Sequence, residues 1–136
     1  MDDREGACCG NPRRTVSDLF DRGYKRNRLA PFSITGASLH DANDLSAAFS
    51  LTIEHDTIKA VRFQVSTCIT LIAYSELLAQ LAAQRKPRDA ARISEAELVA
   101  ALPDVPTLKR DRAILAVNAF RAALAAASRF ETGEAA

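Results

Sequence analysis

Between Phe49 and Val65 the sequence alternates apolar and polar residues in two runs, and at Thr67 the alternation gives way to a helical pattern. Phe49, Leu51 and Ile53 alternate with Ser50, Thr52 and Glu54. Beyond His55-Asp56-Thr57, Val61, Phe63 and Val65 alternate with Arg62, Gln64 and Ser66. Period-two alternation on both sides of a short polar turn predicts a hairpin in which each strand buries one face. From Thr67, TCITLIAYSELLAQLAAQR places apolar residues at 69, 72, 73, 77, 78 and 81, which predicts an amphipathic helix. By its length that helix makes about five turns. Ser66 or Thr67 is its expected N-cap.

The remaining elements follow from local signals. Residues 1–14 are polar and aperiodic and are expected to form a disordered tail. A short helix is predicted from Val16 to about Arg26, with Leu19, Phe20 and Tyr24 on one side and Arg22, Lys25, Arg26 and Arg28 on the other. Ala30-Pro31 ends it, because the residue before a proline is pushed out of the helical region. A third strand is expected around Phe32 to Leu39, and HDANDLS after it reads as a loop. Ser94 with Glu97 three residues on is a capping box that opens a short helix, stopped at Leu102-Pro103. VPTLKRDR then leads into a last helix with Ile114, Val117, Phe120 and Leu124 on one face, and residues 131–136 are expected to fray. Helices gathered after a hairpin indicate one α+β domain over residues 15–130: a small antiparallel sheet, the hairpin plus a third strand, covered on one face by helices.

Composition excludes several function classes. With 136 residues there is material for one core and not for two. Eighteen Lys and Arg against seventeen Asp and Glu leave a net charge of +1, which gives no global pull on nucleic acid or on an anionic membrane. The absence of Trp and the low aromatic content offer no platform for stacking bases. No apolar run reaches the roughly 18 residues of a membrane span. MDDREGACCGNPRR lacks the apolar core of a secretory signal, so a cytoplasmic protein is expected. Three cysteines, an odd number, argue against a disulfide framework.

Few residues offer chemistry. Cys68 stands where a strand ends and a helix begins, and the unpaired N–H groups and positive dipole of a helix start favour a thiolate, the form that binds soft metals. The plain alternative is a structural cysteine buried as a small hydrophobe. Cys8 and Cys9 are adjacent, without the spacing of a chelating pair. His40, Asp41 and Asp44 could supply nitrogen and oxygen ligands or could simply be solvated loop residues. His55 is most simply a turn residue. Lys109, Arg110, Asp111 and Arg112 form a charge run at the start of the last helix, where cations oppose the dipole. No catalytic triad, phosphate loop or metalloprotease motif is present, and no enzymatic activity is expected.

The order of elements carries a resemblance. FQVSTCITLIAYSELL (63–78) resembles the strand–Cys–helix segment of the NifU/IscU family of iron–sulfur cluster assembly scaffolds. VPTLK (105–109) resembles the Leu-Pro-Pro-Val-Lys segment read by that family's Hsp70-type chaperone, with Thr107 where the second Pro stands. ILAVNAFRAAL (114–124) resembles the closing helix. The likeness spans about residues 15–128.

The resemblance implies a transient cluster held by three cysteines, of which only the second is matched here, by Cys68. Asp111 and Arg112 stand where the family has His-Cys, and Lys109 matches the family's Lys. The loop before the hairpin has no Cys and offers His40, Asp41 and Asp44 instead. One thiolate with a few carboxylates suits an iron ion, or zinc, better than a stable cluster. Arg112 in such a shell would repel a cation but would pair with an anionic cluster or with Asp111.

Three readings follow, in order of preference. The first is a divergent iron–sulfur scaffold or carrier using Cys68, Asp111, Lys109, His40 and Asp44, as a monomer or a homodimer. The second is a protein of the scaffold fold that docks a cysteine desulfurase or an Hsp70-type chaperone and holds no cluster. The third is a thiol enzyme using Cys68 as nucleophile, for which no neighbouring base can be named.

Overall fold

The computed structural model describes residues 15–131, so Cys8, Cys9 and the two tails fall outside or at the limit of the described residues. The hairpin forms as the alternation requires. Strand β3 (Ser46–Glu54) pairs antiparallel with β4 (Thr57–Val65), with Phe49 opposite Phe63 and Leu51 opposite Val61. His55 and Asp56 make the two-residue turn with φ of 52° and 63°, the left-handed pair that a tight hairpin turn demands. A register shift at Thr52/Ile53 keeps Ile58 on the buried face.

The expected third strand exists in two short pieces. β1 (Ile34–Thr35) and β2 (Leu39–His40) both pair antiparallel with the free edge of β3, Ile34 opposite Leu51 and Leu39 opposite Ala47. His40 therefore ends a strand and does not open the loop. Gly36, between the two pieces, donates its N–H to the Phe49 carbonyl at 3.0 Å. A Cβ on Gly36 would lie 2.4 Å from the backbone nitrogen of Ala123, so strand and closing helix meet backbone to backbone.

One face of the sheet is covered by helices. α1 (Val16–Arg26) is capped by Thr15, whose hydroxyl accepts from the Asp18 N–H. α2 (Ile69–Ala82) is followed by α3 (Pro87–Ala90) and α4 (Glu95–Ala101), and Ser94 caps α4 by accepting from the Glu97 N–H as the capping box predicts. A 3-10 turn (Thr107–Lys109) precedes α5 (Arg112–Glu131). Phe49 packs on Phe63 at 5.6 Å between ring centres and edge-on against Phe120 of α5 at 5.7 Å, joining sheet and closing helix.

Three helix expectations need correction. α2 is buried nearly all round, from Thr70 to Ala79, because α1, β4 and α5 all pack on it. Its N-cap is Cys68, with no side-chain capping bond. Ser66 is unavailable for that role: its hydroxyl accepts from the Ser46 N–H at 2.8 Å, tying the open end of the hairpin. In α5, Ile114 is 43% exposed, and the core side is carried by Ala113, Ala116, Val117, Ala119, Phe120 and Ala123. The alanines are what allow Gly36 to approach so closely.

Arg26, expected on the polar side of α1, turns inward. Its guanidinium donates to both carboxylate oxygens of Glu76 at 2.6 and 3.1 Å and to the Val61 carbonyl at 2.7 Å. Glu76 also accepts from Gln80 at 2.8 Å. Gly23 makes room for this crossing, since a Cβ there would fall 2.6 Å from Ile72 Cγ2.

Candidate functional site

The candidate residues lie at the starts of two helices. At the first, Ser66 accepts the Cys68 N–H at 2.8 Å, and Cys68 in extended conformation opens α2, its carbonyl accepting from Ile72. Cys68 is half-buried and packs against the hydrophobic core. At the second, Val105 is buried and the Arg110 Nε donates to its carbonyl at 3.2 Å, fixing the approach to α5. Asp111 and Arg112 follow at once.

Arg112 joins the two. Its guanidinium donates to Asp111 Oδ1 at 2.6 Å and reaches the Leu108 carbonyl at 3.5 Å. Cys68 is near enough to act electrostatically on it. Its Nε is buried and has no partner among the described residues. The Asp111 hydrogen bond, with further help from Cys68, holds the guanidinium firmly in its charged form. Asp111 accepts a second bond, from the Asn43 amide at 3.3 Å.

The Arg112 hydrogen bond, reinforced by its charge and by Asn43, holds the Asp111 carboxyl below its ordinary value. A depressed carboxylate adds stability above its unfolded-state value and loses it as the pH falls through the folded one. The carboxylate side chain is half exposed, so that addition is small. A carbon-detected titration of Asp111 is expected to give a midpoint below the usual carboxylate range, and Arg112→Ala is expected to raise it. An unmoved midpoint would show that the 2.6 Å contact does not persist in solution.

Of the residues singled out by the sequence, His40 and Asp41 line a cleft of about 240 Å³ with Asn43 and Asp111, walled by Ile114 and Leu115. Asp41 spends its Oδ1 on the N–H groups of Asn43 and Leu45, at 2.9 and 3.0 Å, shaping the loop. Asp44 sits exposed at φ 64° within that turn and does not line the cleft. Lys109 is exposed at the end of the 3-10 turn. Among the described residues no three His, Cys, Asp or Glu side chains converge to hold a metal ion. Asn43 escaped sequence reasoning; its only signal was its place in a loop rich in turn formers.

Burial pushes the Tyr74 phenol upward, with Arg110 opposing and Asp104 and Asp111 adding to the shift. Its hydroxyl has no partner among the described residues.

The fold and site define a small α+β domain with a thiol at the strand-to-helix turn and a charged start to the closing helix. The model of the NifU-like N-terminal domain matches residues 34–132, and the chain belongs to that family. Among solved structures, a hypothetical protein is 15% identical, with a TM-score of 0.53, covering 80% of this chain and 98% of its own. A nitrogen-fixing NifU-like protein (N-terminal) from Brucella abortus is also 15% identical, with a TM-score of 0.42, covering 82% of this chain and 85% of its own. The first of these supports the fold. No curated protein matches the chain. No helix among the described residues is long and apolar enough to cross a membrane.

Proposed function

We propose that this chain serves iron–sulfur cluster assembly, in the cytoplasm, as a scaffold-type protein that works by docking the assembly machinery, an Hsp70-type chaperone first. Membership of the NifU-like family supports the pathway. One observation carries the mode of action: Leu108, in the VPTLK segment, is 90% exposed. A single exposed leucine is ordinary on a protein surface; what supports the reading is that this one stands inside the VPTLK segment on a fixed turn. The platform is the 3-10 turn anchored by buried Val105, and Lys109 flanks it for an acidic groove.

The test is calorimetric titration with an Hsp70-type chaperone. Leu108→Asp is expected to weaken binding by at least about tenfold, the loss of roughly 1.4 kcal/mol. Cys68→Ala is expected to leave binding unchanged. Equal affinity for Leu108→Asp and wild type, or no binding by either, would sink the docking reading.

A second reading has the chain carry iron, zinc or a transient cluster as cargo on Cys68 and Asp111, with Lys109 in the turn before Asp111, His40 at the end of β2 and Asp44 in the loop as further candidates. What favours it is that a thiol and a carboxylate both act electrostatically on Arg112. Cysteine desulfurase as a second partner fits either reading. Cargo held there would need further donors, from a partner or a second copy, and would need Arg112 to move aside.

A further inference from the structure

We infer that the junction between α1 and the open face of the sheet, built from Tyr24, Arg28, Leu29, Phe32 and Arg62, is a docking surface for an acidic segment of another protein. Arg62 and Gln64 alternate with buried Val61, Phe63 and Val65, so they stand on the face that the helices leave bare. The chain leaving α1 crosses onto that face and is fastened along the way. The Asn27 amide donates to the Val65 carbonyl and accepts the Val65 N–H, at 3.1 and 2.7 Å. Gln64 donates to the Leu29 carbonyl and Arg62 to the Ala30 carbonyl, each at 2.8 Å. The Phe32 N–H donates to the buried Ser50 hydroxyl at 3.0 Å. A connector tied so often presents its outward side chains in a fixed arrangement, which lowers the ordering cost of binding.

Those side chains have the composition of an interface. The Arg62 guanidinium lies over the Phe32 ring at 4.1 Å. Arg28 lies over Tyr24 at 5.7 Å and donates to its hydroxyl at 3.3 Å. Stacking on a ring steadies a guanidinium and leaves most of its N–H edge for a carboxylate. Between the two pairs in the chain, Leu29 is 46% exposed. One such leucine is ordinary by itself, but arginine and tyrosine around an apolar centre are where binding energy concentrates. Lys25 adds a third cation, one turn beyond Asp21, and none of the three forms an ion pair among the described residues. Carboxylates on a protein segment would meet the guanidinium edges, and an apolar neighbour would cover Leu29. A phosphate backbone has nothing to cover Leu29 with, and the net charge of +1 gives nucleic acid or an anionic membrane no pull.

This surface does not rest on the chaperone reading. The Val16 N–H donates to Asp104 at 3.3 Å, so the loop leading to Leu108 abuts the start of α1. Arg28 follows the other end, about 15 Å along the helix axis.

The experiment is a fluorescence-anisotropy titration of the full chain with a short labelled peptide of Glu-Leu-Glu repeats. Its Lys-for-Glu counterpart is the control, and oligothymidylate and phosphatidylserine vesicles are the competitors. The acidic peptide is expected to bind, less tightly as salt rises, and its counterpart is not. Leu29→Ser and Arg28→Glu are each expected to weaken binding at least about tenfold, a loss of hot-spot size. Arg62→Lys, which keeps the charge and gives up the planar fork, is expected to weaken it as well. Leu108→Asp is expected to bind the peptide as the wild type does. The inference is overturned if the acidic peptide does not bind, or if Leu29→Ser or Arg28→Glu binds it as tightly as the wild type. It is equally overturned if Leu108→Asp abolishes binding, or if oligothymidylate or vesicles displace the peptide. Arg28→Ala replaces Arg28→Glu if the latter does not fold, under the same criteria.

Discussion

Arg26→Met is expected to destabilise the domain by about 3–5 kcal/mol, because it leaves Glu76 charged and unpaired in the core. The Glu76 side chain is 2% exposed, while that of Arg26 is 30% exposed, which places the expectation at the lower end of the range. Gln80 cannot take over, since a neutral amide does not compensate a buried charge. The informative companion is Arg26→Met with Glu76→Leu. Replacing both partners of a buried pair by apolar groups is often neutral or better, so the double variant is expected to recover most of the loss. Urea unfolding of the wild type, both single variants and the double variant closes the cycle. A single-variant loss below about 1 kcal/mol, the worth of a surface pair, would mean that water reaches Glu76.

Phe63→Ala is expected to cost about 3–5 kcal/mol. Phe63 is fully buried, faces Phe49 across the hairpin, and through it supports the edge-on contact with Phe120. Removing the ring empties the junction between sheet and closing helix, where both neighbours are rigid and cannot collapse inward. Cys68→Ala, by contrast, is expected to melt near the wild type, since the residue is only half-buried and its side chain makes no capping bond. A melting series in which Cys68→Ala falls further than Phe63→Ala would place the core elsewhere.

What the sequence made legible follows physical lines. Local, periodic signals sufficed for the hairpin, for α1 and for the capped start of α4, because alternation and capping act within a few residues. α2 was misread as amphipathic because its polar members, Ser75 and Glu76, are buried; periodicity cannot see that three separate elements cover one helix. Arg26 was misplaced for the same reason. Its partner lies fifty positions away, and only an odd Glu in an apolar run hinted at it. On α5 the expected Val117 and Phe120 do lie in the core while Ile114 does not; the buried alanines are not legible because alanine carries little weight in a hydrophobic pattern, yet here small size is what the contact with Gly36 requires.

The site was legible in part. Cys68 at a strand-to-helix turn and the pairing of Arg112 with Asp111 could be anticipated from spacing and charge. That Asn43 would orient Asp111 depends on how a loop and the start of α5 meet. No residue type announces such a meeting.

The glycine between the two pieces of edge strand has a wider consequence. The segment 41–45 springs from that strand, while Asp111 stands one residue before the helix on which Gly36 rests. The width of the gap between Asn43 and the acid is therefore gauged by the thickness of bare main chain some distance off. A methyl group at position 36 would act as a shim, prising the strand outward and detuning the carboxylate without altering any residue that touches it.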